Sequence, residues 1–65
     1  MEHFKQIDRV DVWPHLQAGK NVLAAVFKSR VWNVGIVKLT KQDVGDVNQI
    51  LTEKDVVFYE EIKEG

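Results

Sequence analysis

The sequence predicts a small α+β domain in which two short helices cover one face of a three-stranded antiparallel sheet. Three observations predict this fold. Two apolar runs rich in β-branched residues are separated by a short polar break, an amphipathic helical stripe follows them, and a third apolar run comes near the end of the chain. The elements therefore follow in the order αββαβ. Right-handed crossover chirality places the last strand beside the first, which gives the sheet order 2-1-3.

The length of the chain limits it to one domain. A chain of 65 residues buries only about 60% of the surface that its unfolded form exposes, so we expect residues 1–65 to form a single small domain. The composition, 45% hydrophobic and 29% charged, is typical of a folded protein. The chain has no cysteine and no evident metal site, so it lacks the disulfides and structural metals that commonly stabilise small domains. This favours stabilisation by oligomerisation or by a partner.

The first helix is predicted between Asp11 and Gly19. Asp11 suits the N-cap, Pro14 falls in the first turn, where an N–H would have no intrahelical partner, and Gly19 suits the left-handed position after the last turn. The residues before it, Phe4 to Val10, fit an upstream extension of the helix, a short strand or an arm. We favour an irregular start over residues 1–10.

The first two apolar runs predict a hairpin. Asn21 to Phe27 and Val31 to Leu39 are β-branched, small or aromatic, and Lys28 to Arg30 form the polar break between them. The first of these strands is apolar on both faces, which predicts a central position in the sheet. Gly35 indicates either a bulge or a place where another group packs close to the backbone.

The second helix is predicted to begin after Thr40 as its N-cap, with Asp43 in the first turn. Apolar residues recur along it at helical spacing. They are Val44, Val47, Ile50 and Leu51. Gly45 weakens this helix by roughly 1 kcal/mol relative to alanine, which we interpret as a close passage of the helix over the sheet. Val56 to Tyr59 form the last predicted strand.

The sequence contains no pattern typical of an active site, a cofactor site or a metal site, so we predict a protein that is not an enzyme and binds no cofactor. His3 and His15 stand outside any metal-ligand spacing and are expected to be solvated. Ser29, the single serine, is expected to occupy a turn. The start lacks the apolar run of a signal peptide, and no run approaches the ~18 residues of a membrane span. These features predict a cytoplasmic protein without a membrane or small-molecule partner.

Apolar side chains on the sheet face that the helices leave open predict a protein contact surface. The candidate interface residues are Trp32, Val34, Ile36, Phe27 and Tyr59. The opposite-facing set Val31, Val37 and Leu39 is the alternative apolar anchor. We therefore expect an interaction or accessory protein that acts through self-association, as a homodimer, or through a protein partner.

The alternative function is that of a small nucleic-acid-binding or regulatory module. A local concentration of positive charge lies on and beyond the hairpin, near Trp32, and strands with aromatic and basic residues can stack bases. Its members are Lys28, Arg30, Lys38 and Lys41. The net charge of −1 and the common use of lysine to keep edge strands soluble favour the protein-contact hypothesis over this one.

In layout the chain resembles the short accessory proteins of phages and prophages. The resemblance is carried by the small αββαβ arrangement and by the stretch Leu16 to Val22, in which a helix ends in Gly-Lys and enters a strand. It covers under a fifth of the chain, and no catalytic or ligand-binding residue is carried over from it. The resemblance implies a cytoplasmic protein that acts by binding a host or phage component.

Overall fold

Two helices pack on one face of a four-stranded antiparallel sheet. A computed structural model of the chain describes residues 4–62. The elements in this range are β1 (Phe4–Ile7), a 3-10 turn (Arg9–Asp11), α1 (Val12–Gln17), β2 (Asn21–Lys28), β3 (Gly35–Leu39), α2 (Val44–Ile50) and β4 (Asp55–Glu61). The strand order is β1-β4-β2-β3, with every pair of neighbours antiparallel. The two central strands are therefore β4 and β2.

The predicted three-stranded sheet in the order 2-1-3 is wrong, because the sheet has a fourth strand. β1 pairs with β4 in a register that runs from Phe4 opposite Glu61 to Ile7 opposite Phe58. Without this strand, β4 would present an edge of unpaired backbone N–H and C=O groups, and β1 satisfies them. Ile7 also packs against the core, so β1 is held by a side chain as well as by its backbone.

The start of the chain is more regular than predicted. Residues 4–7 form a strand and Arg9–Asp11 a 3-10 turn, so the irregular start favoured for residues 1–10 is wrong over this part. Residues 1–3 lie outside the described residues. Three of the four β1 residues are exposed, and so short and polar a segment has too little alternation to indicate a strand from sequence.

The core lies between the sheet and the two helices. Side chains from both helices and from three of the strands form one buried cluster. Its members are Val12, Leu16, Val22, Ala24, Val26, Leu39, Val47, Ile50, Val56 and Phe58. Successive strand residues point to opposite faces, and directly opposed residues of antiparallel strands share a face. The register therefore turns the strand residues between these core positions away from both helices.

The second strand of the hairpin begins at Gly35, later than the predicted start at Val31. In the connection before it, the Ser29 hydroxyl oxygen accepts hydrogen bonds from the backbone N–H groups of Val31, at 3.1 Å, and Trp32, at 2.9 Å. These bonds favour a turn over strand pairing. Gly35 has a φ of +139°, and a Cβ there would meet nothing within 4 Å. Backbone conformation, and not close packing, is therefore the reason for glycine.

The second helix begins at Val44, after a separate turn closed by Thr40. The Thr40 hydroxyl donates to the Asp43 carboxylate at 2.8 Å, and the Asp43 N–H donates to the Thr40 carbonyl at 3.2 Å. The N-cap is therefore Asp43, and the prediction of Thr40 in that role is wrong. A Cβ on Gly45 would meet nothing within 4 Å, so the predicted close passage over the sheet is wrong as well.

Candidate contact surface

The sheet face that points away from both helices has an apolar centre. No helix in the range 4–62 covers this face, which we call the open face. The register places Tyr59 beside Leu23, and Ala25 between Val57 and Ile36. Ile36 is 68% exposed, Leu23, Val57 and Tyr59 are partly buried, and Ala25 is buried. The result is a row of neighbouring apolar residues that crosses three strands and is most exposed at Ile36.

Phe27 extends this surface at the hairpin end. The pairing of β2 with β4 shifts register between Val26 and Lys28, so Phe27 is the extra residue of a β-bulge. Bulges near strand ends redirect side chains, and the Phe27 ring is 63% exposed. A large aromatic side chain thus lies in solvent beside the apolar centre of the open face.

The structure separates the five predicted interface residues. Ile36, Phe27 and Tyr59 belong to the open face, and Val34 is exposed in the connection just before β3. Trp32 packs against the core instead, and its buried indole Nε1 has no hydrogen-bond partner among the described residues. The prediction placed Trp32 with Val34 and Ile36 because it extended the strand back to Val31, where the chain is in fact a turn.

The alternative apolar anchor is not a surface at all. Leu39 is buried in the core, and Val37 packs against it from the same side of β3. Val31 is exposed, but it lies in the connection before β3 and apart from the other two. The open face therefore includes some of the five predicted interface residues and none of the alternative anchor residues.

Charges of opposite sign divide the open face into two halves. The acidic residues Asp55 and Glu61 lie on β4, and the basic residues Lys28 and Lys38 lie on β2 and β3. The register places Lys28 opposite Asp55 and Lys38 opposite Leu23. Because opposed residues share a face of the sheet, these charged side chains belong to the open face. Glu61 accepts a hydrogen bond from the Asn21 side-chain amide at 2.9 Å. The half toward β1 is therefore acidic and the half toward β3 is basic.

The basic residues of the nucleic-acid hypothesis do not form one patch. They are Lys28, Arg30, Lys38 and Lys41. The first two lie at the hairpin end of the sheet and the last two toward its opposite end. A surface depression beside the first two is also lined by Glu53, Lys54 and Asp55. Basic and acidic side chains are therefore mixed at that end.

A charged cluster lies on the helix side of the sheet, where β4 passes the end of α1. The Glu60 carboxylate lies 3.1 Å from Lys20 Nζ and 3.3 Å from His15 Nε2, and His15 Nδ1 lies 2.7 Å from the Asp11 carbonyl oxygen. The His15 side chain is only 21% exposed, so the prediction of a solvated histidine is wrong for His15. His3 lies outside the described residues. The cluster joins residues distant in the chain, and no spacing in the sequence indicates it.

The contacts of Glu60 hold its pKa below the ordinary value of 4.5. The hydrogen bond from Lys20 is the largest cause, and the positive charge of Lys20 and the contact with His15 act in the same direction. Partial removal of water from the carboxyl group opposes them. A carboxyl group whose pKa is lower in the folded than in the unfolded chain stabilises the fold above its ordinary pKa. That contribution is lost as the pH falls through the lowered value.

We expect Glu60→Gln to remove part of the acid sensitivity of the protein. The wild type should be more stable than the variant at about pH 6, and the difference should shrink as the pH falls below 4.5 and through the lowered pKa of Glu60. Urea unfolding midpoints measured across this range check the prediction. Asp46→Asn, which removes an exposed carboxylate on α2, is the matched control. A Glu60→Gln difference that stays constant over the whole range would contradict the ion-pair account.

Neither a metal site nor a known relative assigns a function to this chain. In the described part of the chain, no group of three or more histidine, cysteine, aspartate or glutamate side chains is placed to hold a metal ion. No helix between residues 4 and 62 has the length and apolar character needed to cross a membrane. Comparison with protein-family models, with curated proteins and with solved structures finds no match. The surface chemistry of the open face is therefore the basis for a functional proposal.

Proposed function

We propose that this protein is a non-enzymatic interaction module that binds protein through its open face. The observation that carries the proposal is the exposure of Ile36 and Phe27 beside Leu23, Val57 and Tyr59, on a face that no helix of residues 4–62 covers. Large contiguous apolar patches are uncommon on monomeric proteins and are typical of contact sites. Aromatic side chains such as Phe27 and Tyr59 are common anchors of such contacts.

The small size of the domain also supports the proposal. A single sheet with helices on one face buries most of its apolar groups on that face, and a second layer over the open face would bury more of the other set. The chain has no cysteine with which to form a disulfide. Small domains without such staples commonly obtain the missing stability from association. Binding through the open face would supply it here.

A nucleic-acid-binding function has less support. Its basic residues lie at two separate ends of the sheet, with side chains of both charges next to one pair. Binding to a phosphate backbone depends on several positive charges acting together, and the net charge of the chain is −1. The resemblance to phage and prophage accessory proteins stays a prediction. The stretch that carries it, Leu16 to Val22, forms the end of α1 and the beginning of β2.

Site-specific photo-cross-linking tests the proposal. A benzophenone amino acid is placed at position 36, on the open face, in the full chain produced in cells. We expect illumination to give covalent adducts, because a bound protein would cover this position. The control carries the same amino acid at position 44, which is 51% exposed at the start of α2 and should give few adducts. Equal yields at the two positions, or no adduct at position 36, would contradict the proposal.

A further inference from the structure

Resting on the proposed function, we propose that the occupant of the open face is a second copy of this chain. The two copies would be related by a two-fold axis that runs parallel to the strands, midway between β4 and β2. Closed two-fold dimers are the commonest assemblies of identical chains. Two sheets that pack face to face also keep their strands within about 30° of each other, which suits an axis along the strands.

The proposed axis brings the apolar centre of one copy onto the apolar centre of the other. The rotation exchanges the two halves of the open face, so β4 of one copy lies over β2 of its partner. Two residues that are paired across β2 and β4 within one chain then also face each other across the interface, one from each copy. Tyr59 lies over the partner's Leu23, and Val57 lies over the partner's Ala25, as the register within each sheet dictates. Ile36 lies to the side of the axis, at the level of Ala25 and Val57. It therefore comes to lie beside the end of the partner's β1, which stops at Ile7, one residue short of that level.

The same rotation pairs charges of opposite sign. Asp55 of each copy comes to lie over the partner's Lys28, because these residues occupy the same level on the two strands that the axis exchanges. Lys38 on β3 and Gln6 on β1 lie in the same row across the sheet, because Lys38 is opposite Leu23, Leu23 is opposite Tyr59, and Tyr59 is opposite Gln6. The rotation exchanges β3 and β1, so Lys38 faces the partner's Gln6. Glu61 lies over the partner's Asn21, the residue that already donates to Glu61 within one chain. No two of these four charged groups meet a like charge.

An axis perpendicular to the strands gives a poorer match. It would place β4 of one copy over β4 of the other with opposite direction, so that Asp55 lies over the partner's Glu61. Like charges across an interface oppose association and are a common means of excluding wrong arrangements. The division of the open face into an acidic and a basic half therefore selects the axis along the strands.

The area of the open face predicts a weak and reversible dimer. Strands spaced ~4.8 Å apart that rise ~3.4 Å per residue give a four-stranded face of roughly 19 by 23 Å, or about 900 Å² for two copies. Stable interfaces bury about 1,200–2,000 Å² in total, and smaller ones belong to transient contacts. We therefore expect the average mass in solution to rise from monomer toward dimer over the micromolar range.

Charge reversal in two separate chains tests the arrangement. Lys28→Glu and Asp55→Lys should each weaken the dimer by about tenfold or more, because each puts like charges across the contact twice. Mixed in equal amounts, the two variants should associate again, since every introduced charge then faces its opposite. Within each variant chain, positions 28 and 55 still carry like charges in the mixture. If the variants weakened the dimer only through repulsion within their own chains, mixing them would therefore not restore it.

Sedimentation of each variant and of the mixture, across a concentration series, is the measurement. Circular dichroism shows that each chain is folded. The control variants are Lys41→Glu and Asp46→Lys, which change the net charge as Lys28→Glu and Asp55→Lys do but lie outside the strands. Each control variant should associate as strongly as the wild type, and mixing the two should not change the association. If a charge variant fails to fold, Ile36→Lys replaces it, and this exposed change should abolish the dimer.

Each outcome decides between the inference and the proposed function. Rescue in the mixture supports the two-fold arrangement. A wild type that is monomeric up to about 1 mM overturns the inference, and adducts of position 36 with a different protein would then still support the proposed function. If neither charge reversal weakens the dimer but Ile36→Lys abolishes it, the two-fold arrangement is wrong, although the open face is still the contact surface. A dimer unchanged by Ile36→Lys contradicts both.

Discussion

Phe58→Ala should leave the chain largely unfolded at room temperature. Phe58 is 2% exposed and lies on the central strand β4, between Ile7 on β1 and Ala24 on β2. Truncation of a buried phenylalanine costs about 3–5 kcal/mol, because apolar contacts are lost and a cavity remains. A single core in a domain of this size rarely supplies more than about 3–5 kcal/mol. The expected loss therefore equals the whole free energy of unfolding.

Urea unfolding followed by circular dichroism measures this effect, at a protein concentration where the wild type is monomeric. Phe58→Leu keeps most of the volume and should stay folded, since such changes typically cost less than about 1.5 kcal/mol. Tyr59→Ala is the matched control on the same strand, because Tyr59 is an aromatic residue on the open face and only partly buried. If Phe58→Ala unfolded at the same urea concentration as Tyr59→Ala, the core would not lie on the helix side of the sheet.

The sequence predicts those parts of the fold whose signals are local. Val47 and Ile50 lie at helical spacing and are both buried under α2, and the alternation of Val22 and Ala24 with Leu23 separates the two faces of β2. β1 has no comparable signal, because Phe4–Ile7 is short and mostly exposed. Its position depends on pairing with the edge of β4, a feature of the whole sheet that no local pattern of residues indicates.

The composition of the open face could be predicted in part for the same reason. Ile36 follows from alternation along its strand, and Phe27 and Tyr59 follow from their aromatic character; all three lie on or beside the open face. Trp32 was assigned to it by extending that alternation through residues that form a turn. The Ser29 hydroxyl, which accepts two backbone hydrogen bonds there, competes with strand pairing in a way that composition does not indicate.

Contacts between residues distant in the chain were not predictable. The pairing of His15 with Glu60 depends on how α1 lies against β4, which no spacing reveals. Arg9 is a stronger case, because in the sequence it is one charged residue in a polar segment. In the structure its Nη1 donates to the Leu51 carbonyl and its Nη2 to the Glu53 carbonyl, the latter at 2.8 Å. Arg9 thereby joins the start of the chain to the end of α2.

Arg9→Ala should lower the free energy of unfolding by about 2 kcal/mol, within the range of about 1.5–3 kcal/mol for hydrogen bonds that involve a charged group. The carbonyls at a helix C-terminus have no partner within the helix and carry a partial negative charge. Leu51 is the C-cap of α2 and Glu53 follows it in the next turn, so a guanidinium that binds both carbonyls stabilises the end of the helix and the turn after it. The Arg9 guanidinium also lies 5.7 Å from the centroid of the Phe58 ring, where a cation is attracted to the aromatic face. Urea unfolding of the variant and the wild type measures the difference.

Two further variants separate the geometry of Arg9 from its charge. Arg9→Lys keeps the positive charge but lacks the planar fork that reaches two carbonyls at once, so it should recover only part of the loss. Val10→Ala changes the exposed neighbour in the same 3-10 turn and should leave stability unchanged. Full recovery in Arg9→Lys would mean that charge alone stabilises the end of α2. The gap between lysine and arginine measures what the two directed hydrogen bonds contribute to holding β1 and its following turn against the second helix.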